Sequence, residues 1–284
     1  MVAQHTSKTY QSNPFYIALE GLTTFFKKAQ SVAIAAIVLS ALAFLGNGVS
    51  TIQNAITPND ARPDRQISRQ ESEAIKGDLE STFRALPPAV WAIIGVIAAT
   101  ILSIAILIGI VISGVSDYTS ARLAAGHDTN LGEALKEVFR HIGSYLWLQI
   151  IIIVKVILWS LLLIVPGIIM SVRYSLAGTS FFAKDLRGNA AVKHSLELTK
   201  GAWLTTFAAS GLWNMMTFGA MDAVLRPGTN AVLYRQYSAT KEKPAAHWLS
   251  WLTLLLPIVL AVFIGLLILM AVLLFAAADY SFSA

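Results

Sequence analysis

Long uncharged stretches alternate with short polar segments along this chain, and the longest of them, Tyr145 to Ala183, sets the pattern. Those 39 residues contain no acidic side chain and only two charges, Lys155 and Arg173. A single crossing of a bilayer's hydrocarbon core takes about 20 apolar residues. This stretch is roughly twice that length and is interrupted by Pro166-Gly167, so it reads as two helices joined by a tight proline-glycine turn: a transmembrane hairpin over 145–183.

Other elements follow from the same contrast. Asn13 is placed to cap a helix with Pro14 at its first position, and Phe15, Leu19, Leu22, Phe26 and Ala29 recur at helical spacing up to Lys27-Lys28. That pattern predicts an interfacial helix over 13–28 on the cytoplasmic surface. The uncharged run from Ala29 to Pro58 predicts a first crossing, with a cleaved signal peptide as the competing reading because of the small residues at Ala41 to Ala43. Residues 59–88 are a polar loop with five basic and six acidic side chains. A short helix is expected within it, from the cap spacing of Ser68 and Glu71 and the stripe Ile75, Leu79, Phe83 and Leu86.

The charge-free run from Pro88 to Ser116 predicts a second crossing. After it, Asn130 and Glu133 have capping-box spacing, and Leu131, Leu135, Val138 and Ile142 mark one face of a helix lying under the membrane. The segment 184–200 reads as a cytoplasmic amphipathic helix with Asn189 as its cap, Gly201 as its stop and Ala191, Ser195 and Leu198 on one face. Ala202 to Met221 is long enough to cross once, and Trp248 to Ala278 is the last crossing, with Trp248 and Trp251 as an aromatic belt. Between them, the 'RPG' at Arg226 to Gly228 reads as a turn, and the basic loop at 234–243 favours the cytoplasm against simple alternation. The fold expected is an all-α polytopic membrane helix bundle, a single domain over 1–284, with about six crossings including the hairpin, plus interfacial amphipathic helices.

Composition adds to this picture mainly by exclusion. The chain is 56% hydrophobic and 13% charged, about half the charge of an ordinary soluble domain. It has no cysteine, which removes disulfides, thiolate metal sites and a cysteine nucleophile. The net charge of +5 is spread over juxtamembrane segments, which suits anionic lipid headgroups and not nucleic acid. Localisation in the plasma membrane, multi-pass with a cytoplasmic N-terminus, is the expectation.

The residues 'SARLAAGHDTNLGEAL', 'LLLIVPGIIMSVRYSLAGTSFF', 'AVKHSLELTKGAW' and 'AVLYRQY' run in the order and spacing of prokaryotic membrane proteins that resemble the glycerophosphodiester phosphodiesterase membrane domain. The resemblance covers residues 114–240, and its most specific parts are the proline-glycine pair and the run Ser195, Leu198, Thr199, Lys200, Gly201 and Trp203. It implies a six-helix integral membrane protein with little assigned chemistry. It implies no hydrolase activity, because the phosphodiesterase barrel behind the name would take some 250 further residues.

Candidate chemistry is sparse. Lys155 falls near the middle of its crossing, where a charge costs at least ~3 kcal/mol, and with Arg173 it forms a candidate site for an anionic lipid or ligand. The competing readings are a hydrogen bond to neighbouring helices for Lys155 and snorkelling to the interface for Arg173. Lys184, Arg187, Lys193 and Lys200 are candidate headgroup contacts. Asp117 and Asp222 lie near membrane ends, where either can partner Lys155 or Arg173. No carboxylate falls inside the expected crossings, which argues against a proton relay. The five histidines lie in separate polar segments without ligand spacing, and no nucleophile elbow or phosphate loop occurs. The expectation is therefore a non-enzymatic polytopic membrane protein without cofactor or metal. It organises the envelope or serves as the membrane subunit of a complex, with a protein partner or a second copy. The alternative is a transporter or lipid-handling protein with a cavity at the 145–183 hairpin.

Overall fold

The computed structural model describes residues 10–42, 76, 87–216, 222–240, 243 and 245–282, and among them no strand occurs. The helices are α1 (Pro14–Lys28), α2 (Gln30–Leu42), α3 (Pro88–Ala124), α4 (Leu131–Arg140), α5 (Ile142–Leu162), α6 (Ile164–Tyr174), α7 (Ala177–Lys184), α8 (Asn189–Leu198), α9 (Trp203–Met216), α10 (Asp222–Ala239) and α11 (Trp248–Phe282). The short helix expected within 59–88 lies outside the described residues. Two compact units are present: residues 1–40 with 113–284, and residues 41–112, whose described part is mainly the apolar stretch of α3.

Among the described residues two helices, α3 and α5, are long and apolar enough to cross a membrane, which marks a membrane protein. A third candidate is the pair α1 and α2, which passes the same test together but is bent by 114°. Along α3 the apolar side chains Ile93, Ile101 and Leu102 are exposed, as expected where lipid takes the place of water.

The chain doubles back after α5, though not where the proline predicts. The corner is Leu163, in extended conformation (φ −162°, ψ 143°). Pro166 is the third residue of α6, in the first turn, where its missing N–H leaves no helical bond unmade. Gly167 has a packing role instead: a Cβ on it would lie 2.2 Å from Ser160 Oγ and 2.9 Å from Ser160 Cα. The glycine lets the two arms close directly above the corner. The return arm has 11 residues, about 16 Å of helix, before the chain bends again into α7. The expected pair of crossings over 145–183 is thus one spanning-length helix, α5, and a broken return.

Caps set by local sequence form as expected. Asn13 accepts the Phe15 amide at 3.0 Å, and Asn130 accepts the Glu133 amide at 2.8 Å. The expected cap at Asn189 does not form: Gly188, with φ +50°, precedes α8, and Asn189 is its first residue. In α1 the face packed against protein differs from the apolar stripe. Ile17, Ala18, Gly21 and Phe25 are buried, while Phe15, Leu19 and Phe26 are exposed. The buried face meets α10, the most extensive contact between helices in the larger unit. There the expected 'RPG' turn is replaced by continuous helix, with Pro227 inside α10 and Gly228 seated on the backbone of Gly21. Arg235 on α10 donates to Glu20 on α1 at 2.6 Å.

Candidate functional site

The second crossing was expected to end at Ser116, but the helix runs on to Ala124, carrying Asp117 into the protein interior. Asp117 is 1% exposed. Tyr145 on α5 donates to its Oδ2 at 2.6 Å, and Ser113 Oγ lies 3.1 Å from the same hydroxyl. The Tyr145 ring is fixed by Phe181 and Phe182 on α7, at centroid distances of 5.6 and 5.5 Å. Gly178, one turn earlier on α7, leaves room for the carboxylate: a Cβ there would fall 1.7 Å from Asp117 Oδ2.

Beside this carboxylate is a half-open cavity of about 270 Å³. Asp117 lines it from α3, Gln149, Ile152 and Val156 from α5, Ser171 and Val172 from α6, Ser210 from α9, and Asp222, Arg226 and Asn230 from α10. Arg226 lies 3.9 Å from Asp222 and is also electrostatically coupled to Asp117. Three lining atoms, Asp117 Oδ1, Ser175 Oγ and Asn230 Nδ2, are buried without a hydrogen-bond partner among the described residues. A buried polar atom left unpaired costs about 1–3 kcal/mol, so three on residues lining one cavity suit a polar occupant.

The residues singled out from sequence lie elsewhere. Lys155 donates to Asn189 Oδ1 at 2.6 Å, and Arg173 donates to the Leu196 carbonyl at 3.2 Å, so the two sit on separate partners and neither lines the cavity. Asp117 accepts from Tyr145, and Asp222 lies 3.9 Å from Arg226. Among the headgroup candidates, Lys193 and Lys200 are exposed, Arg187 pairs with Asp185 and lies 4.4 Å over the Phe181 ring, and Lys184 donates to His194. Arg226 was missed because proline and glycine follow it. Its signal is the spacing of Asp222, Arg226 and Asn230, one per turn on a single helical face.

His194 bonds through both ring nitrogens, Nε2 to Lys184 Nζ at 3.0 Å and Nδ1 to Ser180 Oγ at 3.0 Å. Burial, and then the Lys184 charge, hold its pKa below the ordinary 6.5. Because the unfolded chain takes up this proton first, the contribution to stability is complete above pH 6.5 and declines as the pH falls below it. A melting series from pH 8 down to 5 is expected to show a smaller acid-side loss for His194→Gln than for the parent, and equal slopes would contradict this.

Among the described residues no three His, Asp or Glu side chains gather as a metal-binding group. No protein family model matches the chain, and no characterised protein or solved structure is detectably similar to it.

Proposed function

We propose that this chain is a non-enzymatic, polytopic membrane protein that binds a small zwitterion in the cavity beneath the broken α5–α6 hairpin, as a transporter or lipid-handling protein. The observation that carries the reading is the gathering of opposite charges around one cavity, Arg226 with Asp222 at 3.9 Å and Asp117 on the same lining, with three unpaired polar atoms on lining residues. An ammonium group fits the free Asp117 oxygen, and an anionic group fits Arg226. Broken helices line ligand sites at membrane depth because their irregular backbone is tolerated where it borders a cavity.

This reading takes precedence over envelope organisation because it gives the buried charges a role. It retains about six crossings in the plasma membrane, a cytoplasmic N-terminus, and Lys193 and Lys200 resting on anionic headgroups. The test is native mass spectrometry from nanodiscs holding equal phosphatidylethanolamine and phosphatidylglycerol, together with thermal shifts in zwitterionic amino acids. The parent is expected to retain the zwitterionic lipid or to be stabilised by the zwitterionic solutes, and Arg226→Gln, checked for folding by gel filtration, to lose that preference. No preference in the parent, or an unchanged one in the variant, would count against the proposal.

A further inference from the structure

A second cavity, of about 400 Å³, lies among α3, α7 and α10 and is lined by basic side chains from all three: Arg122, Lys184 and Arg235. No acidic residue lines it. Two of the three cations have acidic neighbours outside the cavity, Arg122 at 3.4 Å from Glu133 and Arg235 at 2.6 Å from Glu20. Among the described residues the partner of Lys184 is the His194 ring, an acceptor without negative charge. Three cations against two carboxylates leave the cavity one positive charge in excess.

An unpaired donor in the lining points the same way: Arg122 Nε is buried without a hydrogen-bond partner among the described residues. Tyr234 and Ser238, one turn apart on α10, add two hydroxyls to the same lining, side by side. Basic residues near the ends of α3 and α7 also offset the partial negative charge of helix C-termini. That role accounts for their sign. It leaves unexplained why three basic residues from separate helices line one space large enough for a phosphate group with its substituents.

We infer that this cavity is a phosphate-binding site, in which Arg122 and Lys184 carry the charge and Tyr234 and Ser238 donate to the remaining oxygens. Guanidinium and ammonium groups match the oxygens of a phosphomonoester or phosphodiester, whether on a lipid headgroup or on a free anion. The site shares no lining residue with the zwitterion cavity, so the two readings stand or fall separately.

The experiment has two arms on the full chain. Calorimetry in detergent measures binding of inorganic phosphate and glycerol 3-phosphate, and native mass spectrometry from nanodiscs of phosphatidylcholine with phosphatidic acid measures lipid retention. Binding in the first arm alone assigns the site to a soluble anion, and retention in the second alone assigns it to a headgroup. In whichever arm binds, Arg122→Gln with Lys184→Gln is expected to weaken affinity by about tenfold or more. Tyr234→Phe, which removes one hydroxyl and no charge, is expected to weaken it severalfold, and Lys136→Gln, at an exposed lysine that lines neither cavity, to leave it unchanged. The inference is overturned if neither arm shows binding in the parent, or if binding survives undiminished in Tyr234→Phe and in the double variant.

Discussion

Gly228→Val is expected to leave little folded protein, and Gly21→Val to do the same. At Gly228 an added Cβ would lie 2.0 Å from the Gly21 carbonyl oxygen and 2.4 Å from its carbonyl carbon. At Gly21 it would lie 2.6 Å from both the Gly228 carbon and the Thr229 nitrogen. Every atom met is backbone, so no rotamer change relieves the clash, and α1 must separate from α10. Separation uncovers Ile17 and Phe25 on one helix and Val224 and Val232 on the other, all now buried, and draws Glu20 away from Arg235. Overpacking ordinarily costs about 1–3 kcal/mol, and with rigid backbone on both sides the loss should reach or exceed the upper end. Small residues at helix crossings are the usual means of close approach in membranes, where apolar burial between helices gains little over lipid. Gly109 provides the control, since nothing lies within 4 Å of a Cβ built there. Fluorescence-detected gel filtration and melting in detergent should show loss of the monodisperse peak for the two crossing variants and none for Gly109→Ala. An unshifted melting point for Gly228→Val would mean that α1 does not pack on α10 as described.

What the sequence made legible here was local. The caps at Asn13 and Asn130 were readable because an Asn side chain bonds an amide two or three residues on, and nothing distant intervenes. The apolar runs that form α3 and α5 were readable because lipid demands them over the whole length of a crossing. The buried face of α1 was not, because both of its faces are apolar and hydropathy alone cannot rank lipid against protein. The deciding residue was Gly21, whose partner is more than 200 positions away. Pro166-Gly167 and Pro227-Gly228 mark breaks by local rules, yet each pair lies inside a helix. Pro166 lies in the first turn of α6 and Pro227 inside α10, and in both pairs the glycine serves a close approach. The candidate site was hidden for the same reason. Asp117 follows the last uncharged residue of a crossing and so reads as the start of a loop, although the helix continues and folds the carboxylate against Tyr145.

Removing the Asp117 carboxylate is expected to have the second large effect, and its neighbours allow the cause to be separated. Asp117→Leu removes the closer acceptor of Tyr145, leaving it Ser113 Oγ at 3.1 Å, and removes one of the two carboxylates near Arg226, leaving Asp222 at 3.9 Å. Losing a buried hydrogen-bonded carboxylate in this way typically costs about 1–3 kcal/mol. Asp117→Asn keeps an acceptor for the tyrosine and loses only the charge, so its penalty should be smaller. Gly178→Ala reaches the same group from the opposite side, because its Cβ would fall 1.7 Å from Oδ2 and 2.3 Å from Cγ of Asp117. The carboxylate cannot stay in place beside that methyl, and its bond to Tyr145 must break. In an Asp117→Ala background the obstructed atoms are gone, so Gly178→Ala should cost much less than it does alone. A double-mutant cycle on melting free energies is therefore expected to give a coupling of at least about 1 kcal/mol. Strict additivity would show that the α7 helix does not press on Asp117, and with it the argument that the protein holds this carboxylate at the cavity wall would fail.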